Sequence, residues 1–250
     1  MYYTRMVFTE LTPACWAHRI RTQAIGREVK KEPSLLTRSY FVKNLSNPAL
    51  ITIDVQNDFA LPGAPSEIPG TFQIVPNIVR LLEQFRHLQK TVIHIVRLYL
   101  SDGSNAETCR QERIREGMKI VAPGTEGAEL VLSLKPDSQV RLDPEILLQQ
   151  TVQQIGPQEF VIYKPRWGAF YKTPLEEFLR SRKIHSLIFC GCNFPNCPRT
   201  SLYEASERDF QSIIVSDAVS GIYEQGVHEL KEIGVEVMTT SKIINLLKDT

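Results

Sequence analysis

The sequence predicts an α/β fold: a three-layer α/β/α, Rossmann-like arrangement whose mostly parallel central sheet carries helices on both faces. Three observations predict it. Short runs of strand length recur from residue 48 onward. Stretches with helical spacing of apolar residues separate them. The runs are apolar almost throughout, as strands covered on both faces require.

Residues 49–54, Ala-Leu-Ile-Thr-Ile-Asp, read as the first strand. In residues 76–90, Ile78, Val79, Leu81, Leu82, Phe85 and Leu88 recur at helical spacing, and Pro76 suits a first turn. Residues 91–96 form the next apolar run. From Ser101 to about Gly127 the chain is loop-rich, punctuated by Gly103, Pro123, Gly124 and Gly127. Residues 140–142 are expected to form a short strand and 160–164 a longer one. At 173–182, Thr173 as N-cap, Pro174 at the first position and Glu176 three residues after the cap predict a helix. A strand is expected at 186–191, a helix at 200–210, a strand at 212–217, a helix at 226–233 and a last strand at 235–238. Ser241 is expected to cap a closing helix that runs through Leu247. Connections of this kind place ligands beyond the carboxyl ends of the strands.

The bulk properties narrow the function classes. A chain of 250 residues supports one full-cored domain, or one domain and a tail. A net charge of +1 gives no field for nucleic acid or an anionic membrane. No apolar run approaches the roughly 20 residues of a membrane span. Arg5, Glu10 and His18 interrupt the start, so no continuous apolar signal core forms. Five cysteines, an odd number with three inside eight residues, fit free thiols in a reducing compartment better than a disulfide scaffold. A cytoplasmic protein is expected. Residues 1–47 lack a period and are basic through Arg19, Arg21, Arg27, Lys30 and Lys31. They read as an N-terminal extension, open to being a disordered tail, an arm between subunits or an artefact of start-site choice. The folded domain is expected over 48–250.

Three reactive side chains fall at the expected ligand edge. Asp54 ends the first strand, Lys164 ends the run that starts at Phe160, and Cys197 follows a strand and a turn just before a helix. Taken singly, each has a plain reading: a turn aspartate, a solvated lysine, a small buried hydrophobe. Together they suit acyl transfer. A thiol attacks a carbonyl as thiolate, a helix N-terminus and an ammonium favour that form, and a carboxylate takes the proton and returns it to a leaving amine.

The motifs around these residues resemble those of the isochorismatase-like cysteine hydrolases, a superfamily that includes nicotinamidases, N-carbamoylsarcosine amidohydrolases and ureidoacrylate amidohydrolases. Residues 50–59, Leu-Ile-Thr-Ile-Asp-Val-Gln-Asn-Asp-Phe, resemble the first motif. Residues 164–170, Lys-Pro-Arg-Trp-Gly-Ala-Phe, resemble the second. Residues 191–197, Gly-Cys-Asn-Phe-Pro-Asn-Cys, followed by Thr200 and residues 215–218, Val-Ser-Asp-Ala, resemble the third. The resemblance spans about residues 48–247. It implies Asp54 as general base, Lys164 as electrostatic partner and Cys197 as nucleophile, with a thioester or carbamoyl-thioester intermediate. It also implies a non-proline cis peptide at Cys192–Asn193 that aims the N–H groups of Asn193 and Cys197 at the oxyanion. The turn departs from the usual Gly-Val-Ala-Thr-Asn-Val-Cys pattern, so no relative's substrate carries over.

Phe59, Trp167 and Phe170 are candidate walls of the substrate pocket, and Arg97 and Arg166 candidate partners of a substrate carboxylate. The acid-x-His motif that holds zinc in nicotinamidases is missing. His94 reads as a strand residue, so neither a metal nor another cofactor is expected. A small-molecule substrate is expected, and homo-oligomers by analogy. Two alternatives stay open: vinyl-ether hydrolysis, which does not need the thiol, and a catalytically retired member that binds a small molecule or partner.

Overall fold

The computed structural model describes Leu45 and residues 47–248. The basic extension lies outside the described residues, apart from Leu45 and Asn47. Leu45 is buried in the core, and Asn47 donates to the carbonyls of Arg182 and Lys183.

The chain runs through β1 (Pro48–Ile53), α1 (Asn57–Ala60), α2 (Thr71–His87), β2 (Val92–Val96), α3 (Thr108–Arg115), α4 (Pro144–Leu148), β3 (Gln153–Gly156), β4 (Glu159–Tyr163) and α5 (Leu175–Ser181). It continues through β5 (Ser186–Gly191), α6 (Cys197–Ser206), β6 (Gln211–Val219), α7 (Glu224–Glu232), β7 (Glu236–Met238) and α8 (Thr240–Lys248). The strands form one sheet in the order β3-β4-β2-β1-β5-β6-β7. Only β3 is antiparallel to its neighbour.

Alternation along β1 explains the layers. Ala49, Ile51 and Ile53 face Leu175, Leu179, Leu202 and Leu230, so α5, α6 and α7 cover that side. Leu50 faces Ile78, Leu81, Ile243 and Leu247 from α2 and α8 on the other. Each fully buried Leu or Ile contributes roughly 1.5–3 kcal/mol. A third cluster, with Phe59, Leu98, Ile114, Leu147 and Tyr163, sits under α3 and α4. No described helix is long and apolar enough to cross a membrane.

Several expectations need correction. Residues 140–142 form no strand. The sheet instead gains β3, whose Gln-Gln-Ile-Gly sequence has no apolar signal because it is an edge strand. Helix α3 lies inside the stretch read as loop and buries only Ile114, so it leaves no apolar period. Pro76 is not at a helix start. Helix α2 begins at Thr71, whose buried hydroxyl donates to Ser220 Oγ, and Pro76 falls in its interior. Helix α5 begins at Leu175, with Thr173 Oγ1 accepting from the Leu175 N–H. Helix α6 begins at Cys197, because Pro198 is accommodated in its first turn. Helix α8 is capped by Asp217, which accepts from Thr240 N and Oγ1 at 2.7 and 2.8 Å, and not by Ser241.

Candidate active site

Four neighbouring strands, β4, β2, β1 and β5, end at one edge of the sheet. The residues that follow them are Lys164, Arg97, Asp54 and the turn that leads to Cys197. Asp54 has φ 54°, a left-handed conformation that turns the chain sharply out of β1. At the end of β5, Gly191 has φ +115°, and a Cβ there would stand 2.2 Å from the Ile53 carbonyl oxygen. Only glycine lets the two strand ends approach so closely. Cys192 N–H then donates to Ile53 O at 2.9 Å.

Lys164 joins the other two reactive groups. Its Nζ lies 2.8 Å from Asp54 Oδ2 and 3.4 Å from Cys197 Sγ, and it also donates to Arg166 O at 3.3 Å. All three side chains are buried. Burial alone would lower the Lys164 pKa, but the charges of Asp54 and then Cys197 outweigh it and the net shift is upward. The Cys197 thiol is pushed up to about 12, first by burial and then by the Asp54 carboxylate, with Lys164 pulling the other way. The resting thiol is therefore protonated. Asp54 Oδ1 is buried without a hydrogen-bond partner, so it is free to accept the thiol proton. Moving the proton to Asp54 removes the second of the two causes that hold the thiol up, after burial. The arrangement can make a thiolate beside an ammonium without releasing a proton to solvent.

The surrounding motif residues hold this geometry. Gln56 is buried between strand ends: its Oε1 accepts from Arg97 N, and its Nε2 donates to Arg97 O and Ala128 O. Asn57 Nδ2 donates to Glu126 O, and Asp58 Oδ2 accepts from Val121 N. These three residues anchor the long connection that carries α3. From α6, Ser201 Oγ accepts from Ala169 N and Glu204 Oε2 from Phe170 N. Cys192 Sγ donates to Asp54 O at 3.0 Å, and burial, reinforced by Asp54, pushes its pKa well up. It acts as a fixed donor. The Cys192–Asn193 peptide is cis. Among the described residues, the N–H groups of Asn193 and Cys197 have no hydrogen-bond partner.

A narrow pocket opens onto these groups, with about 10 Å³ of water-accessible space, room for about one water. Of the residues read from the sequence, Asp54, Lys164, Cys197, Cys192, Asn193, Phe59, Arg97 and Trp167 line it. Two do not. Arg166 turns away to donate to Asn105 O and Pro165 O, and Phe170 packs into the core against Phe210. Arg97 is buried, not a surface charge: Glu107 pairs with it and Lys164 O accepts from it at 2.6 Å. Ile68, Asn196 and Arg110 complete the lining and were not read from the sequence. A larger cleft of about 350 Å³ lies at the opposite edge of the sheet, around Arg86 and Glu159. Among the described residues no cluster of His, Cys, Asp and Glu is placed to hold a metal ion. His94 lies within the sheet, bonded to Thr52 Oγ1 and Glu159 Oε1, both at 2.7 Å.

The fold is thus a mostly parallel α/β sheet with a carboxylate, an ammonium and a thiol gathered at its carboxyl edge. The chain matches the Isochorismatase domain over residues 48–242, and it belongs to the isochorismatase family. It is 31% identical to a probable inactive nicotinamidase of Arabidopsis thaliana over 77% of this chain and 92% of that one. It is 27% identical to an N-carbamoylsarcosine amidase of an Arthrobacter species, over 81% and 72% of the two chains. Among solved structures, an isochorismatase family protein from Desulfovibrio vulgaris superposes with a TM-score of 0.69 at 32% identity, covering 81% of this chain and 98% of that one.

Proposed function

We propose that this chain is a cysteine-dependent hydrolase that cleaves the C–N bond of an amide, ureido or carbamoyl group in a small molecule. The observation that carries the reading is the buried Asp54–Lys164–Cys197 chain of contacts at 2.8 and 3.4 Å. The activity named for the N-carbamoylsarcosine amidase relative agrees with it.

Asp54 takes the Cys197 proton as the sulfur attacks the carbonyl carbon. The resulting oxyanion meets the N–H groups of Asn193 and Cys197. Asp54 then gives that proton to the leaving nitrogen, and the C–N bond breaks to leave a thioester. Water enters the vacated space and Asp54 removes its proton. The acid product leaves and the thiol is restored. Lys164 keeps its charge throughout, opposing whichever of the carboxylate or thiolate is ionised.

A second reading, a catalytically retired binding protein, draws on the relative named as probably inactive. The two separate in a screen of small amides, ureido acids and carbamoyl compounds for ammonia release. The proposal expects at least one to be hydrolysed by the wild type and not by Cys197→Ala. Isochorismate turnover that survives Cys197→Ala would point to vinyl-ether chemistry instead. Silence across the panel, with a Cys197 that resists acylating reagents, would favour the retired protein.

A further inference from the structure

Charge is unevenly distributed around the pocket. Lys164 is matched by Asp54. On the other wall one carboxylate, Glu107, faces two guanidiniums, Arg97 and, at 3.6 Å, Arg110. Two carboxylates against three cations leave one positive charge without a counterpart. The surplus sits on a built support. Tyr99 Oη donates to Glu107 Oε2 at 2.7 Å and accepts from Arg110 Nη1 at 2.6 Å. The Arg110 guanidinium lies 4.6 Å over the Trp167 ring, and Arg97 lies 4.6 Å over Tyr99. Arg97 is buried, yet its Nε has no hydrogen-bond partner. A buried N–H left open in this way is a site that a bound acceptor satisfies. The Arg110 side chain is 29% exposed and that of Arg97 2%, so Arg110 stands at the mouth with Arg97 behind it.

We infer that the substrate carries a single carboxylate besides its scissile C–N group, and that Arg110 at the pocket mouth, backed by Arg97, is the residue that selects it. This rests on the reading of Cys197 as nucleophile. The guanidinium fork matches a planar carboxylate, and its stacking on Trp167 fixes the plane in which the fork is offered. A doubly charged phosphate exceeds the single surplus charge.

The test compares iodoacetate with iodoacetamide on the full chain. The two reagents deliver similar groups to a thiol, one with a carboxylate and one without. Modification at Cys197 is followed by peptide mapping, and N-acetylcysteine in the same buffer gives the reference ratio. The iodoacetate-to-iodoacetamide rate ratio at Cys197 should exceed that reference by about tenfold or more, the scale of one charge-assisted hydrogen bond. Arg110→Gln should bring the ratio down to the reference and Arg110→Lys should keep part of it. Arg115→Gln, a charge removed from the same helix outside this pocket, should leave it unchanged. A wild-type ratio equal to the reference, or one that Arg110→Gln does not move, overturns the inference and leaves the thiol reading intact. A Cys197 that neither reagent touches overturns both.

Discussion

Replacing Asp54 with Asn should cripple turnover and at the same time make the Cys197 thiol more acidic. The thiol stands at about 12, raised by burial first and by the Asp54 carboxylate second. The carboxylate and the sulfur lie 2.8 and 3.4 Å from the same ammonium nitrogen. They are therefore no more than roughly 6 Å apart, where a unit charge at an effective dielectric near 20 is worth about 3 kcal/mol, or about 2 pH units. Asn keeps the shape, removes that charge and leaves Lys164 to act on the sulfur alone. The thiol of Asp54→Asn should thus titrate near pH 10 or below, by roughly the same 2 units. Ultraviolet thiolate absorbance, taken as a difference against the same protein carrying Cys197→Ser, reads the midpoint directly. Ammonia release should fall by about 10²-fold or more, the usual contribution of a positioned general base. A thiol midpoint that stays put or rises in Asp54→Asn would refute the electrostatic reasoning, and unimpaired turnover would refute the role of Asp54.

Other consequences follow from burial and close approach. Lys164→Met leaves Asp54 as an unpaired buried charge and should cost about 3–5 kcal/mol in urea unfolding, much of it recovered when Asp54→Asn is added; a loss under about 1 kcal/mol would speak against a charged resting pair. Gly191→Ala puts a Cβ 2.2 Å from Ile53 O at φ +115°. It should lower stability by at least about 2 kcal/mol, visible as a depressed melting temperature, and a neutral result would contradict the tight approach of β1 and β5. Burial would raise the Glu159 carboxyl, but Arg86 and His94 bring it down to about 2. Because this pKa lies below its unfolded value, the stability it brings is present above about pH 4.5 and is lost as pH falls toward 2, roughly 3 kcal/mol in all. Glu159→Gln should flatten that acid limb in denaturation curves, and an acid limb unchanged from wild type would count against the network.

The strands β1, β2, β4, β5 and β6 were legible because burial of their central residues on both faces gives each a short apolar run. β3 was not, since an edge strand of Gln and Gly has no such constraint. Helix α3 was hidden for a related reason: it is polar almost throughout and buries only Ile114. The edge holding Asp54, Lys164 and the Cys197 turn followed from strand ends alone, because parallel strands share their carboxyl side. Arg97 follows β2 at that same edge, yet its burial depends on Glu107 and on the Lys164 carbonyl, partners no local window reveals. Arg110 was missed because its contacts come from Tyr99, Glu107 and the distant Trp167. The cap of α8 by Asp217 is another long-range partnership that a sequence window assigns to the nearest serine.

The proposed mechanism passes through a covalent intermediate on Cys197. Its most direct test is rapid acid quench of the enzyme during turnover of an amide it hydrolyses, followed by peptide mapping. An acyl or carbamoyl mass is expected on the peptide containing Cys197, lost on treatment with hydroxylamine, with no adduct and no ammonia from Cys197→Ala. Ammonia release by Cys197→Ala at the wild-type rate, with Cys197 unmodified in the quenched wild type, would contradict it.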